Sequence, residues 1–420
     1  MNGLRIDTDT KLEPRIYLLP EGITIEADNV TLDGQGATIL GTDKTSSQGV
    51  KVFGRKNITI KNLRVLNYYH GVSIKQSSGI EISHCTITLT TEVQSNTLFL
   101  DIWKPAAHAY GGAIFLEQVT DARIHDNDIQ HQMNGILSYH CKNLEVMNNL
   151  ANYSSGFGFH LYETCDSTFA NNYADYCCRY YLSDSGSHLG ADAAGFLIVY
   201  KSCNNMFRKN YARLGGDGFF LAGLTPDGID VGCNNNLFDE NDASYSPNNA
   251  FEGVFSKGNI YRGNKANYSN YGFWLGFSSD CTLTDNQIYG NRQAGIAVEN
   301  GMHFKVLNND IQNNTHGILL WTRSYEFLRN NSAINATSSD WLIERNKLTQ
   351  NKKAIRIAAN QDHGTQPLHR EESSILPNKH IIQNNEIRDN VLGIELEKAR
   401  DTQTNQNRLN NLVANFREAG

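Results

Sequence analysis

An asparagine that returns at intervals of about 22 residues constrains the fold of this chain more than any other feature of its sequence. Asn127, Asn149 and Asn172 lie at this spacing in one part of the chain, and Asn264 and Asn286 lie at the same spacing in another. Each repeat carries two short runs in which apolar and polar residues alternate, and this period of two predicts β-strands. Strands this short bury a face only by stacking on neighbours about 4.8 Å away. The sequence therefore predicts an all-β solenoid, a parallel β-helix with coils of about 22 residues and inserted loops.

The repeated asparagine is interpreted as a structural element and not as a ligand. Asparagine tolerates the left-handed backbone of a tight turn, and stacked side-chain amides hydrogen-bond from coil to coil. The further positions assigned to this ladder are Asn62, His84, Asn210, Asn241, Asn309, Asn331, Asn346, Asn385 and Asn407. The period is interrupted after His84, Asn172, Asn210 and Asn346. Long excursions from a regular scaffold are where functional residues usually lie.

We expect one domain over residues 1–420, with an N-terminal cap at about residues 1–40 and a C-terminal cap at about residues 408–420. The segment from Ile16 to Gly41 is interpreted as the first coil with its cap. The C-terminal segment NNLVANFREAG is interpreted as a short amphipathic plug over the last coil. Terminal coils need such covers because an open end exposes a strand edge.

Composition limits the classes of partner. The net charge of −7 argues against a nucleic-acid partner, which requires a basic stripe. No stretch approaches the 18 apolar residues of a membrane span, so we expect no membrane partner. Self-association into a homo-oligomer is compatible with the sequence, which does not define an oligomeric state.

The cysteine pattern bears on metals and on the cellular compartment. Eight cysteines are present without a CxxC pair, which argues against structural zinc. Four of them fall at nearly the same place in their repeats and are interpreted as stacked thiols, namely Cys141, Cys165, Cys203 and Cys233. Unpaired cysteines favour a reducing compartment, and Met1 to Lys11 has no apolar stretch typical of a secretory leader. We therefore expect a cytoplasmic protein, with secretion after processing as the alternative.

Two motifs recur together along the chain: a G-[FI]-x-[LV] strand and, after a short turn, an N-N-x-[FIL]-x-x-N unit. This combination resembles the parallel β-helix repeat of the pectin-lyase-like superfamily, over roughly Ile16 to Asn411. The resemblance implies a right-handed β-helix. It also implies a choice among polysaccharide lyases, glycoside hydrolases, sugar epimerases and non-catalytic binding proteins. The block from GDGFFLAG to GILLW resembles the carbohydrate-active members more than adhesins or tailspikes.

The strands that begin with glycine predict which side chains face outward. The first and third residues after the glycine are apolar and are assigned to the interior, as in Phe159 and Leu161. The second and fourth then share one outer sheet face. This face carries aromatic rings and carboxylates, which suit carbohydrate recognition because rings stack on sugars and carboxylates accept hydrogen bonds from hydroxyls. The alternative is that inserted loops cover the rings as additional core.

Three carboxylates are the catalytic candidates: Asp217, Glu252 and Glu299. Asp217 and Glu252 are expected one coil apart, a separation that permits glycosidase chemistry and does not decide between retention and inversion. Glu299 is the alternative partner. The substrate-binding candidates are His160, Tyr162, Phe220, Asn249, Trp274 and Trp321. We predict no cofactor and no metal site. Calcium is a weak alternative in two inserts with Asp184, His188, Asp192, Asp227 and Asp230, whose spacing matches no standard loop.

The leading functional hypothesis is a glycoside hydrolase or transglycosylase acting on an oligo- or polysaccharide. A polysaccharide lyase or uronate epimerase is the second hypothesis, and it requires cationic groups, histidine or calcium, which are sparse on the central face. A non-catalytic carbohydrate-binding solenoid is the third hypothesis.

Overall fold

The structure is a computed structural model that describes residues 2–94, 98–183, 186–190, 192–323, 335–359 and 376–419. The chain forms two compact units, Met1–Phe220 and Leu221–Gly420. Each unit is a stack of parallel coils whose strands belong to three sheets. The predicted right-handed parallel β-helix is confirmed. No helix among the described residues is long and apolar enough to cross a membrane.

In the first unit, strands numbered in chain order alternate between the sheets. The first sheet contains β1 (Leu4–Ile6), β4 (Ile23–Ile25), β7 (Gln48–Phe53), β10 (His70–Lys75), β13 (Gly112–Glu117), β15 (Ile136–Tyr139), β17 (Phe157–Tyr162) and β21 (Ala194–Val199). The second sheet contains β2 (Thr10–Lys11), β5 (Thr31–Asp33), β8 (Lys56–Lys61), β11 (Ser78–Ser83), β14 (Thr120–His125), β16 (Lys142–Met147), β18 (Thr168–Ala170) and β22 (Met206–Arg208). The third sheet contains β3 (Ile16–Leu18), β6 (Thr38–Leu40), β9 (Arg64–Leu66) and β12 (Thr86–Thr88).

Two features of the first unit depart from the coils. A short 3₁₀ helix, Ala106–His108, lies in one insert, and an antiparallel hairpin, β19 (Tyr180–Ser183) and β20 (Gly186–Leu189), lies in another. Strand β23 (Asp217–Ala222) belongs to the first sheet and contains the boundary between the units.

The second unit repeats the same arrangement. Its first sheet contains β25 (Asn249–Val254), β27 (Tyr271–Trp274), β30 (Ala294–Glu299), β33 (His316–Trp321), β36 (Lys353–Ala358), β39 (Leu392–Glu397) and β42 (Ala414–Ala419). The second sheet contains β24 (Leu237–Asp239), β26 (Ile260–Arg262), β28 (Thr282–Thr284), β31 (Lys305–Leu307), β34 (Leu342–Glu344), β37 (Ile381–Gln383) and β40 (Gln403–Asn405). The third sheet contains β29 (Gln287–Tyr289), β32 (Asp310–Gln312), β35 (Lys347–Thr349), β38 (Glu386–Arg388) and β41 (Arg408–Asn410).

The core of each unit consists of columns of like residues. In the first unit, the rings of Phe159, Phe196 and Phe219 stack with centroids 4.6 Å apart at each step. In the second, Phe251 stacks on Phe273 with centroids 4.9 Å apart. The parallel register places equivalent residues of successive coils in contact, so one apolar position in the repeat becomes a continuous buried column. The prediction that the first and third residues after the glycine face the interior is confirmed for Phe159 and Leu161, which are both fully buried.

The asparagine ladder exists, with one error of register. The Nδ2 atom of Asn127 donates to Oδ1 of Asn149 at 2.9 Å, and equivalent bonds continue from coil to coil. Asn62 and His84 were assigned to the ladder, but they occupy the preceding turn position, as their positive φ angles show, and Cys85 holds the ladder place. The ladder passes directly from Asn309 to Asn346, and Asn331 lies outside the described residues.

A second amide ladder was not predicted. Its members are buried or partly buried at one turn of the second unit and are bonded in sequence, Asn291, Asn314, Asn351, Asn390 and Asn411. The segments expected as caps consist of strands. Residues from β1 to β6 form coils that pair with β7, β8 and β9, while β41 and β42 extend two sheets beyond β38 and β39.

Candidate functional site

The outer face of the first sheet in the second unit carries a carboxyl group among aromatic rings. We call this surface, defined by Asn249, Glu252, Tyr271, Trp274 and Trp321, the Glu252 face. Strands β25 and β27 pair in parallel, and this register sets Glu252 beside Trp274 on the next coil. Glu252 is half-buried and accepts a hydrogen bond of 2.6 Å from Nδ2 of Asn249. Burial raises the pKa of Glu252 to about 7, and the bond from Asn249 opposes this rise.

The aromatic residues of the Glu252 face form two layers, a fully buried Trp321 underneath and the partly exposed rings of Trp274 and Tyr271 above it. Trp321 is fully buried and packs with Ala294, Ala297 and Leu319. Trp274 lies on this cluster, with its ring centroid 5.5 Å from that of Trp321 and 4.8 Å from that of Tyr271. Trp274 and Tyr271 remain half-buried, so they present ring surface next to the Glu252 carboxyl.

A second carboxylate of the same unit lies two strands further along the first sheet. Glu299 is aligned with Trp321 in the pairing of β30 and β33, and it is 6% exposed. Its Oε1 atom lies 3.9 Å from Nη1 of Arg323. Strands β25, β27 and β30 are successive neighbours, so Glu252 and Glu299 are about 10 Å apart along the stacking direction. Gly276 lies between them, where a Cβ atom would be 3.8 Å from Cβ of Glu299 and 3.9 Å from Nε1 of Trp274.

Several predicted site residues are buried and not exposed on an open face. His160 is 3% exposed and its ring contacts Tyr139 and Phe157, with centroids 5.1 Å and 5.4 Å away. Burial lowers the pKa of His160 to about 3, so this imidazole is neutral. Tyr162 is 6% exposed and stacks on Tyr200 at 4.4 Å. The expectation of outward exposure is therefore wrong for His160, Tyr162 and Trp321, because side chains of neighbouring coils pack against them. Phe220 is half-buried.

Asp217, the first residue of β23, is buried in the first unit. It is 1% exposed, and together with Asp192 it raises the pKa of the nearby Cys178 thiol, which burial itself raises most, to about 11. Asp192 forms a buried ion pair with Arg179, with Nε and Oδ2 3.4 Å apart, and accepts a hydrogen bond of 2.7 Å from the backbone N–H of Leu100. These contacts tie the insert around residue 100 to the insert around residue 179, and they engage Asp192 structurally.

The structure describes the side chains of three of the five residues named for the calcium alternative, Asp192, Asp227 and Asp230. Asp184 and the side chain of His188 lie outside the described residues, and Asp230 accepts a hydrogen bond of 3.1 Å from the backbone of Gly232. Among the described side chains, no three from histidine, cysteine, aspartate and glutamate converge as a metal-binding group.

Two residues beside the candidate carboxylates, Tyr271 and Arg323, were missed from the sequence. Tyr271 is two residues before the buried Phe273, so strict alternation along the strand would place it in the interior. It begins β27, and the turn before this strand directs its ring onto Trp274. Arg323 follows the end of β33, where alternation no longer applies. The sequence signal that could have identified Arg323 is its position two residues after Trp321, which occupies an outward position.

Comparison with known families identifies the chain. A family profile described as periplasmic copper-binding protein (NosD) matches residues 203–419, slightly more than half of the chain. The chain belongs to the NosD family. A second profile, described as a right-handed β-helix region, matches residues 21–212 of this NosD-family chain. No curated protein matches it.

Several solved structures are similar to this NosD-family chain at low sequence identity. The A-module of mannuronan C-5 epimerase AlgE4 from Azotobacter vinelandii is 16% identical, with 98% of this chain and 88% of that chain covered and a TM-score of 0.46. The periplasmic alginate epimerase AlgG is 10% identical, with 94% and 78% covered and a TM-score of 0.40. DFA-IIIase from Arthrobacter chlorophenolicus A6 without its lid is 13% identical, with 69% and 70% covered and a TM-score of 0.39.

The copper binding in the NosD family description was tested against the described side chains. Thiols are ligands that copper(I) prefers, and Cys165 and Cys203 lie close together. The backbone N–H of Cys203 donates to Sγ of Cys165 at 3.3 Å. A hydrogen bond from the Cys203 thiol lowers the pKa of Cys165 to about 6. No third side chain from histidine, cysteine, aspartate or glutamate joins them among the described residues. The described part of the chain therefore does not fit a resident copper ion.

Proposed function

We propose that this chain is a carbohydrate-active enzyme that cleaves or transfers a glycosidic bond with Glu252 as its general acid. The observation that carries the proposal is the half-buried carboxyl group of Glu252, whose pKa is about 7, next to exposed ring surface. A general acid works best when its pKa lies near the working pH, because it then holds a proton and releases it readily. Glu252 would protonate the leaving-group oxygen of the scissile bond.

The aromatic rings beside Glu252 supply the binding surface for this reaction. Trp274 and Tyr271 lie 4.8 Å apart and are partly exposed, so sugar C–H groups would pack against them. The amide of Asn249 orients the Glu252 carboxyl through its hydrogen bond of 2.6 Å. A saccharide held against the rings would therefore place a glycosidic oxygen within reach of the acid.

Glu299 is the proposed second carboxylate, acting as the general base that activates water. Arg323 lies 3.9 Å from Glu299 and balances its charge. Carboxyl pairs about 5 Å apart give retention of anomeric configuration, whereas pairs about 6.5 to 9.5 Å apart leave room for water and give inversion. Glu252 and Glu299 lie about 10 Å apart along the stack and are offset by two residues along the strand, so their separation exceeds the first distance. Side chains that lean toward each other would bring the carboxyl groups into the second range. We therefore propose an inverting hydrolase.

Digestion of a glycan panel tests this function. Wild type, Glu252→Gln and the matched control Glu386→Gln, an exposed glutamate of β38, would be compared by mass spectrometry and ultraviolet absorbance. Saturated products lost only in Glu252→Gln are the expected result. Unsaturated products would replace the hydrolase with a lyase, and absence of products from every glycan would favour a binding protein.

The anomeric outcome tests the role of Glu299. Proton NMR of fresh product is expected to show inverted configuration, and Glu299→Gln is expected to lower kcat about 10²-fold or more, as for loss of a general base. Retained configuration would show that Glu252 and Glu299 do not act as the acid and base across a water molecule.

A further inference from the structure

A surface cavity lies in the first unit and shares no residue with the Glu252 face. Its volume is about 420 Å³, and strands β4, β7 and β10 of the first sheet form its floor. The parallel register of β7 and β10 places Lys51 beside Ser73 and Phe53 beside Lys75. Arg55, just beyond β7, completes one wall. We call this cavity the Lys51 pocket.

The Lys51 pocket concentrates positive charge on a chain whose net charge is −7. Three of its lining residues are cationic, Lys51, Arg55 and Lys75. Lys75 pairs with Glu117, with Nζ and Oε2 3.0 Å apart. Lys51 and Arg55 form no ion pair with any described residue. Glu26, the acidic residue of the wall, is engaged by Arg5. Two cations therefore face the cavity without compensation, which favours an anionic ligand.

Buried polar atoms in the pocket also lack partners. Ser73 is 2% exposed, and its Oγ atom has no hydrogen-bond partner within the described part of the chain. The Nε atom of Arg55 is buried and likewise unpartnered there. Buried hydroxyl and guanidinium groups are normally hydrogen-bonded in folded proteins. Ligand oxygens that accept from Arg55 and bond to Ser73 would satisfy both groups.

The exposed ring of Phe53 at the edge of the pocket favours an anionic ligand that also has an apolar face. Phe53 is 63% exposed and lies beside Lys75 across the pairing of β7 and β10. An inorganic oxyanion has no surface to pack against a phenyl ring, whereas the C–H face of a sugar does. We propose that the Lys51 pocket binds an acidic sugar, with its carboxylate on Lys51 and Arg55, a ring oxygen or hydroxyl at Ser73, and its apolar face on Phe53. This site lies outside the Glu252 face and does not depend on the reaction proposed for it.

Isothermal titration with tetragalacturonate tests the proposal, with cellotetraose as the neutral saccharide of equal length. We expect binding of the acidic tetrasaccharide that weakens as NaCl is raised, and weaker binding of the neutral one. Lys51→Gln and Arg55→Gln should each weaken binding about tenfold or more, as for loss of a charge-assisted hydrogen bond. Phe53→Ala should also weaken it. The matched control Lys56→Gln removes one charge from an exposed position of β8 and should leave the affinity unchanged.

Three outcomes would overturn the acidic-sugar site: equal affinity for cellotetraose, equal affinity for inorganic sulfate, or an equal loss of affinity in Lys56→Gln. Circular dichroism on each variant separates loss of binding from loss of folding. Glu252→Gln should bind tetragalacturonate as wild type does. A chain that binds tetragalacturonate through Lys51 but cleaves no glycan would therefore contradict the proposed enzyme and support this pocket.

Discussion

At the residue scale, the chemistry of this protein depends on what burial does to single side chains. Glu252 and His160 both occupy outward positions of the first sheet, but burial shifts their pKa values in opposite directions. Burial raises the pKa of the Glu252 carboxyl to about 7 and lowers the pKa of the His160 imidazole to about 3. In both cases the neutral form is favoured, because a low-dielectric surrounding disfavours charge. For Glu252 the neutral form is a proton donor, whereas neutral His160 is part of a packed ring cluster.

The raised pKa of Glu252 predicts a pH-dependent cost in stability. The folded state keeps a proton up to about pH 7, whereas the unfolded chain releases it near its ordinary value of 4.5. The folded state is therefore destabilised progressively as the pH rises from about 4.5 through 7. Because glutamine is neutral at every pH, Glu252→Gln should raise the melting temperature by roughly a few degrees above pH 7 and leave it unchanged below pH 4.5.

Melting curves from pH 4 to pH 9, followed by circular dichroism, measure this effect. Glu386→Gln, which alters an exposed carboxylate paired with Arg388, should show no such pH-dependent gain. A melting temperature of Glu252→Gln that follows wild type at every pH would show that the Glu252 carboxyl is ionised at neutral pH.

At the element scale, the coils are joined by side-chain amides as well as by strand pairing. Asn286 shows the full pattern. Its Nδ2 atom donates to the carbonyl of Tyr261 and to Oδ1 of Asn309, both at 2.9 Å. Its own Oδ1 accepts from the backbone N–H and from Nδ2 of Asn264, at 2.8 Å and 3.1 Å. One residue therefore joins its own coil to the coils on both sides, which explains why the position returns with the repeat.

Loss of one asparagine side chain from the ladder should lower the free energy of unfolding. Asn286→Ala removes the acceptor of the Asn264 backbone N–H, one of the two acceptors of Asn264 Nδ2 and the donor to the Tyr261 carbonyl. Each buried group left without a partner costs about 1–3 kcal/mol. We expect a loss of about 2–4 kcal/mol in the free energy of unfolding after partial relaxation. Urea denaturation measures it, with Asn405→Ala at an exposed position of β40 as the matched control. Equal midpoints for the two variants would contradict a stabilising role for the ladder.

At the scale of the whole molecule, the regular scaffold carries inserted segments that are held together by their own buried contacts. In the first unit, Arg179 donates to the backbone carbonyls of Gln94 and Leu98, both at 3.2 Å, and pairs with Asp192. This network holds one insert against another, and His160 and Tyr162 are buried on that unit. In the second unit, Trp274 and Tyr271 keep exposed surface beside Glu252. Equivalent outward positions of the repeat are therefore buried at His160 and Tyr162 and partly exposed at Trp274.

The buried Arg179 network predicts a local effect of mutation. Arg179→Ala leaves the Asp192 carboxylate buried without its cation, a change that typically costs about 3–5 kcal/mol. Because the network joins inserts and not coils, we expect faster proteolysis and hydrogen exchange around residues 98–110, with the strands of the first unit still protected. Arg123→Ala removes an exposed pair with Glu145 and serves as the control. Uniform loss of protection across the first unit would show that the network supports the coils themselves.

The sequence by itself determined the repeat, its strands and its buried columns. A short, regular period with alternating polarity leaves stacking as the way to bury a core, so Phe159, Leu161 and Asn149 could be placed correctly. It also placed Glu252 and Trp274 beside each other, because a parallel register aligns equivalent positions of neighbouring coils.

Only the tertiary structure decided which outward residues are accessible and how each carboxyl group is solvated. Trp274 and Trp321 both occupy outward positions, but one keeps exposed surface and the other is fully buried. The packing of inserts and turns over the sheet is long-range and leaves no periodic signal in the sequence. The turn that directs Tyr271 onto Trp274, the burial that sets the pKa of Glu252, and the unpartnered Ser73 hydroxyl all depend on that packing.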